Sequence, residues 1–194
     1  IVRSPAMLSK SLVDHRASVA FLIPSHLEAL LPFLTQPRTS WRRGHTSHSL
    51  RHIVVCGEAL RPDTVRRFHT ALGTRSHAKR VPDSEKVVQL HNLYGPTEGS
   101  MTYMACTDPE PAEVLIGRPI DDTVVLLLDG NLAPVPLGVP GEVCFGGAIA
   151  VGYLQQPELT VARFISNPLS DAMQRDKRVP LASCLYRSGD LAMR

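Results

Sequence analysis

The richest concentration of chemically useful groups is the segment Asn92-Leu-Tyr-Gly-Pro-Thr-Glu98, which follows a predicted strand. The Asn92 amide can both donate to and accept from the edge of a base, and the ring of Tyr94 offers an aromatic face. A Gly-Pro pair favours a tight turn, after which Thr97 offers a hydroxyl and a backbone N–H to a phosphate. Glu98 then supplies the hard type of carboxylate that Mg²⁺ prefers. This order of groups predicts a nucleotide site, against the alternative of a buried tyrosine and a solvated glutamate.

Two further loops carry groups of the same kind. In Cys56-Gly-Glu-Ala-Leu60, Gly57 would let the backbone approach a flat ligand closely. In Tyr186-Arg-Ser-Gly-Asp190, a carboxylate after a glycine-containing turn can accept from both hydroxyls of a ribose. All three loops are predicted at the carboxyl ends of strands, the edge where open α/β sheets bind ligands. Taken alone, the last two also fit a plain strand-to-helix turn and an exposed turn aspartate.

The elements that would position these loops alternate along the first half of the chain. Continuous apolar runs predict strands buried on both faces over 19–23 and 51–56, and a third strand over 87–91. A helix capped by Ser25 and a helix starting at Pro62 lie between them. Strands that alternate with helices indicate a parallel sheet with right-handed crossovers.

The second half changes character from about Val114, where Pro, Gly and Val dominate. Strands are predicted over 122–129 and 141–146, with a hairpin turn signal at Asp129-Gly130. Only the stretch from Pro157 to Phe164 has a helical pattern. We therefore predict an α/β portion over 1–112 and a β-rich sheet or small barrel over 113–194.

Composition excludes several classes of protein. The 194 residues are 43% hydrophobic, which allows a sizeable core. No apolar run approaches the roughly 20 residues that span a bilayer, and no secretory leader opens the chain, so no membrane partner is predicted. The four cysteines form no CxxC pair, so no zinc knuckle or thioredoxin-like site is predicted. Each has an apolar neighbour, which predicts buried free thiols in a reducing compartment over disulfides. Because a strong sequence pattern runs up to both Ile1 and Arg194, we expect the chain to be a piece of a longer protein.

Basic residues concentrate in the middle of the chain. Between Arg38 and His91 there are 11 Lys and Arg against 4 Asp and Glu. They lie in loop-like segments with almost no aromatic residues, which favours solvated surface over a nucleic-acid site. His45, His48 and His52 have the spacing of metal ligands but no neighbouring Cys or carboxylate, so no metal site is predicted there.

Together the three loops resemble the adenylation domain of nonribosomal peptide synthetases. This domain belongs to the adenylate-forming superfamily, which includes acyl-CoA synthetases and luciferases. The Pro before Thr97 is typical of the peptide-synthetase branch. The matching stretches are 19–31, 50–60, 92–98, Ile116-Gly-Arg-Pro-Ile120, the run from Pro140-Gly-Glu-Val143 through Gly152-Tyr-Leu154, Pro157-Glu-Leu-Thr160 and 186–191.

The resemblance implies the α/β core of an ATP-dependent ligase. Such enzymes join a carboxylic acid, usually an amino acid, to AMP with release of pyrophosphate, and pass the acyl group to phosphopantetheine on a carrier protein. Thr97 and Glu98 would be catalytic, with Glu98 as the ligand of Mg²⁺. The nucleotide would be held by Gly57, Glu58, Ala59, Asn92, Tyr94, Gly95, Thr97 and Asp190. The acyl pocket would include Leu22, Val54, Cys56, Leu93, Met101 and Thr102.

Some positions depart from the family pattern. Cys56 stands where Gly or Ala is common, Ser188 where Thr is usual, and Ala148–Gly152 lacks the usual Arg. The family's lysine-bearing phosphate loop and its C-terminal lid are expected outside residues 1–194, which predicts that this stretch alone is inactive. Two alternatives stay open: a free-standing acyl-CoA or aryl-acid ligase, and an inactive remnant that only binds. A cytoplasmic location is expected.

Overall fold

The computed structural model describes residues 4–34, 49–72, 88–170 and 182–194. Within it the chain forms two compact units, one of Ile1–Tyr94 with Tyr103–Gly117 and one of Gly95–Thr102 with Arg118–Arg194. His45, His48 and seven of the 11 Lys and Arg residues between Arg38 and His91 lie outside the described residues. The domain division at residues 112 and 113 stays a prediction.

The first unit is an α/β layer. Its elements are α1 (Pro5–Asp14), β1 (Val19–Leu22), α2 (Pro24–Leu34), β2 (His52–Val55), α3 (Pro62–Leu72), β3 (Gln89–Tyr94) and β4 (Thr102–Ala105). The four strands lie side by side in chain order, and both the β1–β2 and the β2–β3 pairs are parallel. The parallel sheet predicted from the alternating pattern is therefore confirmed.

Helix α2 begins at Pro24, one residue before the predicted cap. Ser25 lies inside the first turn, and its hydroxyl donates to Glu58 at 3.0 Å. Pro suits this position because a first-turn N–H has no partner within the helix. The predicted apolar face is confirmed, since the leucines of α2 are almost fully buried: Leu27, Leu30, Leu31 and Leu34.

The prediction that β1 is buried on both faces was wrong for the described part of the chain. Ala20 and Leu22 join the core formed with the helices, whereas Val19 and Phe21 are 52% and 63% exposed. Burial alternates because successive side chains of a strand point to opposite faces. An apolar run shows that both faces are suitable for burial, but it does not show which segment covers each one.

The second unit carries an antiparallel sheet of four strands. The elements of this unit are β5 (Arg118–Pro119), β6 (Thr123–Leu128), β7 (Gly141–Gly147), α4 (Pro157–Arg163), β8 (Phe164–Ser166) and β9 (Cys184–Ala192). Strands β6 to β9 form the sheet. The strands of the sheet lie in the order β6-β7-β9-β8. Its core includes Val124, Leu128, Cys144 and Leu185. The expected α/β portion followed by a β-rich portion is confirmed.

The predicted hairpin turn lies where the sequence indicated it. The Asp129 carboxylate accepts from the backbone N–H groups of Asn131 and Ala133 at 2.8 and 2.9 Å. The chain then returns along the end of β6, with a bridge between Leu128 and Pro134. The turn at Asp129-Gly130 therefore joins the end of β6 to a short extended segment at Pro134, and β7 begins only at Gly141.

The four cysteines are free thiols, as predicted. Cys106 and Cys144 are buried, and burial raises the pKa of each thiol to about 11. No helix in the described ranges is long and apolar enough to cross a membrane.

Candidate active site

In the first unit, two of the predicted loops leave the same edge of the sheet. Val55 at the end of β2 pairs in register with Asn92 in β3. The loop of Gly57, Glu58 and Ala59 follows β2 directly, so it begins beside Asn92 and Tyr94. This placement was expected from the sequence, because parallel strands bring their carboxyl ends to one edge.

The loop after β2 is tied to the start of α2. Glu58 accepts hydrogen bonds from the backbone N–H of Ser25 at 2.9 Å and from its hydroxyl at 3.0 Å. Gly57 has a φ of +89°, a conformation that glycine adopts without strain. The Glu58 carboxylate thus fixes the loop, and Gly57 and Ala59 are exposed beside it.

Asn92 is buried, and its amide nitrogen donates to the carbonyl of Leu115 at 3.0 Å. This bond fixes the amide within the first unit. The ring of Tyr94, at the end of β3, is half-buried. The adenine-binding roles of Asn92 and Tyr94 stay predictions.

In the second unit, the turn that begins at Gly95 is tightly folded. A Cβ atom at Gly95 would lie 2.4 Å from the carbonyl oxygen of Ser100, so only glycine fits. The Gly99 N–H donates to the carbonyl of Pro96 at 3.2 Å, and Thr97 at the tip is exposed. The turn therefore presents the backbone and hydroxyl of Thr97 outward.

Glu98 is held at two points by the segment that follows β7. The Ala150 N–H donates to the Glu98 carbonyl at 2.8 Å, and the Tyr153 hydroxyl donates to Glu98 Oε1 at 2.8 Å. The Tyr153 hydroxyl also lies 3.4 Å from that of Tyr186. Hydrogen bonding to Tyr186 and Glu98, together with burial, raises the pKa of Tyr153.

The donor set around Glu98 suits a magnesium ion shared with a substrate. The described residues contain no cluster of three or more His, Cys, Asp or Glu side chains that would form an all-protein cage. Mg²⁺ is usually held by one or two carboxylates plus phosphates and water. A single positioned carboxylate therefore fits a cation that arrives with a polyphosphate.

Asp190 lies within strand β9. The prediction that residues 186–190 form a loop was therefore wrong. The register between β7 and β9 shifts between Glu142 and Cys144, and Gly189 has a φ of +84°. The extra residues form a bulge that leaves Asp190 exposed. A glycine is common both in turns and in β-bulges, so the sequence around Gly189 does not distinguish between them.

Glu142 anchors this bulge. Its carboxylate forms an ion pair with Arg187 at 2.6 Å and accepts from the Gly189 N–H at 3.1 Å. Ser188 donates to the Val143 carbonyl at 2.7 Å. The backbone around Asp190 is thus held by β7.

The predicted pocket residues of the first unit divide between the two faces of the sheet. Val54 and Leu93 lie on the same face of the sheet because side chains alternate along the strands. Cys56, two residues after Val54, is half-buried. Leu22 pairs with Val55 and lies on the opposite, helix-covered face. The sheet therefore does not bring Leu22 together with Val54. In the second unit, Met101 is half-buried and Thr102 is buried.

The sequence-based predictions missed a hydrogen-bonded chain on the Val54 face. His91 is the register partner of Val54, and its Nε2 lies 2.9 Å from Nδ1 of His52. Its Nδ1 lies 2.9 Å from the hydroxyl of Tyr103. The available signal was alternation, which puts both histidines on one face of adjacent strands.

Known proteins resemble this chain in sequence and in fold. The profile of the AMP-binding enzyme family matches residues 1–154. The chain belongs to this family. The resemblance to peptide-synthetase adenylation domains is also confirmed, because the relatives and the solved structures that match include peptide synthetases.

Two relatives are matched across nearly the whole chain. Phosphinothricin tripeptide synthetase PhsB of Streptomyces viridochromogenes is 38% identical over 193 residues, which is 98% of this chain and 14% of that protein. A second relative, from the mycosubtilin synthase of Bacillus subtilis, is 34% identical over 194 residues, 98% of this chain and 7% of that protein. The chain thus spans a small part of these relatives.

Solved structures share the fold. The AMPPNP-bound form of the nonribosomal peptide synthetase FmoA3 matches with a TM-score of 0.73 and 22% identity, over 97% of this chain and 18% of that one. A four-domain nonribosomal peptide synthetase, AB3403 bound to AMP and glycine, matches with a TM-score of 0.70 and 29% identity. That match covers 100% of this chain and 12% of the synthetase.

Proposed function

We propose that the protein containing this chain activates an amino acid with ATP, forms the aminoacyl adenylate and releases pyrophosphate. The acyl group then passes to the phosphopantetheine thiol of a carrier domain. The observation that carries the proposal is the orientation of Glu98, which Tyr153 and Ala150 hold beside the exposed Thr97 in a turn that only glycine permits.

The reaction needs positioning and charge neutralisation more than a protein nucleophile. An oxygen of the substrate carboxylate attacks the α-phosphorus, the bond to the bridging oxygen breaks, and pyrophosphate leaves with that electron pair. Thr97 would donate to the α-phosphate. Glu98 would hold Mg²⁺, which supplies neutralisation of phosphate charge when bound.

The remaining groups would bind the nucleoside. In the first unit, Gly57, Glu58, Ala59, Asn92 and Tyr94 would contact adenine, with Tyr94 stacking on it. In the second unit, Asp190 would accept from the ribose hydroxyls. Gly95 lets the backbone of the turn pack against the Ser100 carbonyl.

An amino acid is favoured over other acids by two of the matched proteins. PhsB is a tripeptide synthetase by name, and the AB3403 structure is bound to AMP and glycine. The predicted pocket side chains Val54, Leu93 and Met101 are apolar, which favours a hydrophobic amino acid. We also propose a cytoplasmic location, because ATP is the substrate and the buried thiols are free.

The test is ATP–pyrophosphate exchange by the full-length protein with a panel of amino acids. We expect exchange with one or a few hydrophobic amino acids and its loss in Glu98→Ala. Transfer of an aryl or fatty acid to coenzyme A, without amino-acid-dependent exchange, would instead indicate a free-standing acyl-CoA ligase. No exchange with any acid would indicate an inactive remnant.

A further inference from the structure

Tyr153 contacts neither the nucleotide nor the acid in the proposed reaction, yet its hydroxyl donates to Glu98 Oε1 at 2.8 Å. We propose that Tyr153 is a positioning residue, which orients the Glu98 carboxylate so that it can bind the divalent cation that accompanies ATP. This inference rests on the proposed function, because it takes Glu98 as the cation ligand.

The same short segment holds the backbone of Glu98 as well as its side chain. Ala150 donates its N–H to the Glu98 carbonyl at 2.8 Å, three residues before Tyr153 supplies its hydroxyl. Two bonds from residues 150–153 fix both the main-chain position and the carboxylate rotamer. The turn that begins at Gly95 therefore does not orient Glu98 alone.

Tyr153 is itself fixed by two neighbours, Thr160 and Phe164. Its backbone N–H donates to the Thr160 hydroxyl at 2.9 Å, and its ring packs edge-on against Phe164 with 5.7 Å between ring centres. Phe164 contacts Tyr186 in turn, at 5.1 Å. A phenol held in this way can impose its own orientation on a flexible carboxylate.

Gly152 allows the close approach that sets Tyr153 in place. Its φ is +146°, and a Cβ atom there would lie 2.5 Å from Thr160 Cγ2. A larger residue would push the segment away from α4, and with it the Tyr153 hydroxyl. The glycine preceding this tyrosine thus serves the position of Glu98.

The bond has the right chemistry for a lasting constraint. A hydroxyl that donates to a carboxylate forms a charge-assisted hydrogen bond, stronger than a neutral one. With Oε1 engaged, the carboxylate has one preferred orientation toward a cation. Mg²⁺ requires near-ideal octahedral geometry, so it is sensitive to this orientation.

Tyr153→Phe in the full-length protein tests the role, because it removes only the hydroxyl. Binding of Mn²⁺ in the presence of the ATP analogue AMPPNP is measured by electron paramagnetic resonance, which needs no turnover. Partners that orient a metal ligand contribute about tenfold to metal affinity, so we expect Mn²⁺ binding to weaken by about that factor. The Mg²⁺ concentration for half-maximal exchange should rise in parallel, while KM for the amino acid stays within about twofold.

Two variants serve as references. Tyr186→Phe removes the more distant hydroxyl, 3.4 Å from that of Tyr153, and should change Mn²⁺ binding much less. Glu98→Gln removes the charge itself and should give the largest loss. If Tyr153→Phe impairs folding, Thr160→Val carries the test, since it removes the bond to the Tyr153 N–H and should weaken Mn²⁺ binding in the same direction.

Failure of this inference and failure of the proposed function give different results. Wild-type exchange together with unchanged Mn²⁺ binding in Tyr153→Phe, or in Thr160→Val where that variant replaces it, overturns the role of Tyr153 alone. A wild-type protein that neither binds Mn²⁺ with AMPPNP nor catalyses exchange with any acid overturns the proposed function, and this inference with it.

Discussion

Nε2 of His91 lies 2.9 Å from Nδ1 of His52, across two neighbouring parallel strands. One ring donates and the other accepts, so the pair is satisfied when a single proton is shared between these two nitrogens. Burial, reinforced by the nearby His52, lowers the pKa of His91. Burial and this neighbour therefore favour the neutral form of His91 in the folded state.

Acidification should destabilise the first unit. His91 and the buried His69 both have a pKa lowered chiefly by burial, so the unfolded chain binds protons more readily than the folded one. Their contribution is fully present above the unfolded-state pKa of about 6.5 and is lost as the pH falls below it toward the folded-state value. Urea unfolding at pH 7.5 and 5.5 should give a smaller free energy of unfolding at the lower pH.

The His91→Gln variant separates this effect from general acid lability. Gln cannot be protonated, so the difference in stability between the two pH values should shrink. An unchanged difference would mean that His91 is not a source of the pH dependence.

The turn at Gly95 should tolerate no side chain. In Gly95→Ala, the new Cβ would lie 2.4 Å from the Ser100 carbonyl oxygen, which forces the backbone to move. We expect a loss of about 2 kcal/mol in the free energy of unfolding, and loss of exchange activity in the full-length protein. Gly130→Ala is the matched control, since a Cβ there meets nothing within 4 Å, and it should be neutral.

Much of the fold followed from the sequence because local pattern determined it. The parallel strands β1, β2 and β3 and the helices beginning at Pro24 and Pro62 were readable from apolar runs and proline positions. The predictions failed where partners distant in sequence decide the outcome. β9 was missed because its residues have the pattern of a glycine turn, and the exposure of Phe21 depends on what covers each face.

The candidate site was predictable to the same extent. Residue types and order pointed to the loop of Gly57 and to Thr97 and Glu98, and strand register brings the Gly57 loop beside Asn92. No local pattern indicated that Tyr153 would bond to Glu98, 55 residues away. Nor did it reveal that Glu58 bonds to Ser25. Such contacts depend on tertiary packing, which a single sequence does not encode as a motif.

Removing the anchor of the Asp190 bulge should weaken ATP binding. Glu142→Ala removes the ion pair with Arg187 and the bond to the Gly189 N–H, so the backbone beside Asp190 is released. The loss of a hydrogen bond of about 1 kcal/mol corresponds to a rise of about fivefold in KM for ATP. KM for the amino acid should change little, and so should both constants in Asp14→Asn, which breaks an exposed ion pair with Lys10. Equal changes in both KM values would contradict a role confined to ATP binding, whereas a lower maximal rate with both KM values unchanged would indicate partial unfolding.

The cysteines should divide into two reactive and two protected thiols. The half-buried Cys56 and Cys184 are accessible to a small alkylating reagent, whereas Cys106 and Cys144 are buried with a pKa of about 11. At pH 8 only about one in a thousand of the latter thiols is ionised, and the thiolate is the reacting form. Iodoacetamide labelling followed by peptide mass spectrometry should therefore modify Cys56 and Cys184 in the native protein, and all four in urea. Rapid native labelling of Cys144 would contradict its position in the core of the second sheet.

Because Cys56 is a predicted pocket residue, a bound cognate amino acid with ATP should slow its labelling while that of Cys184 continues unchanged.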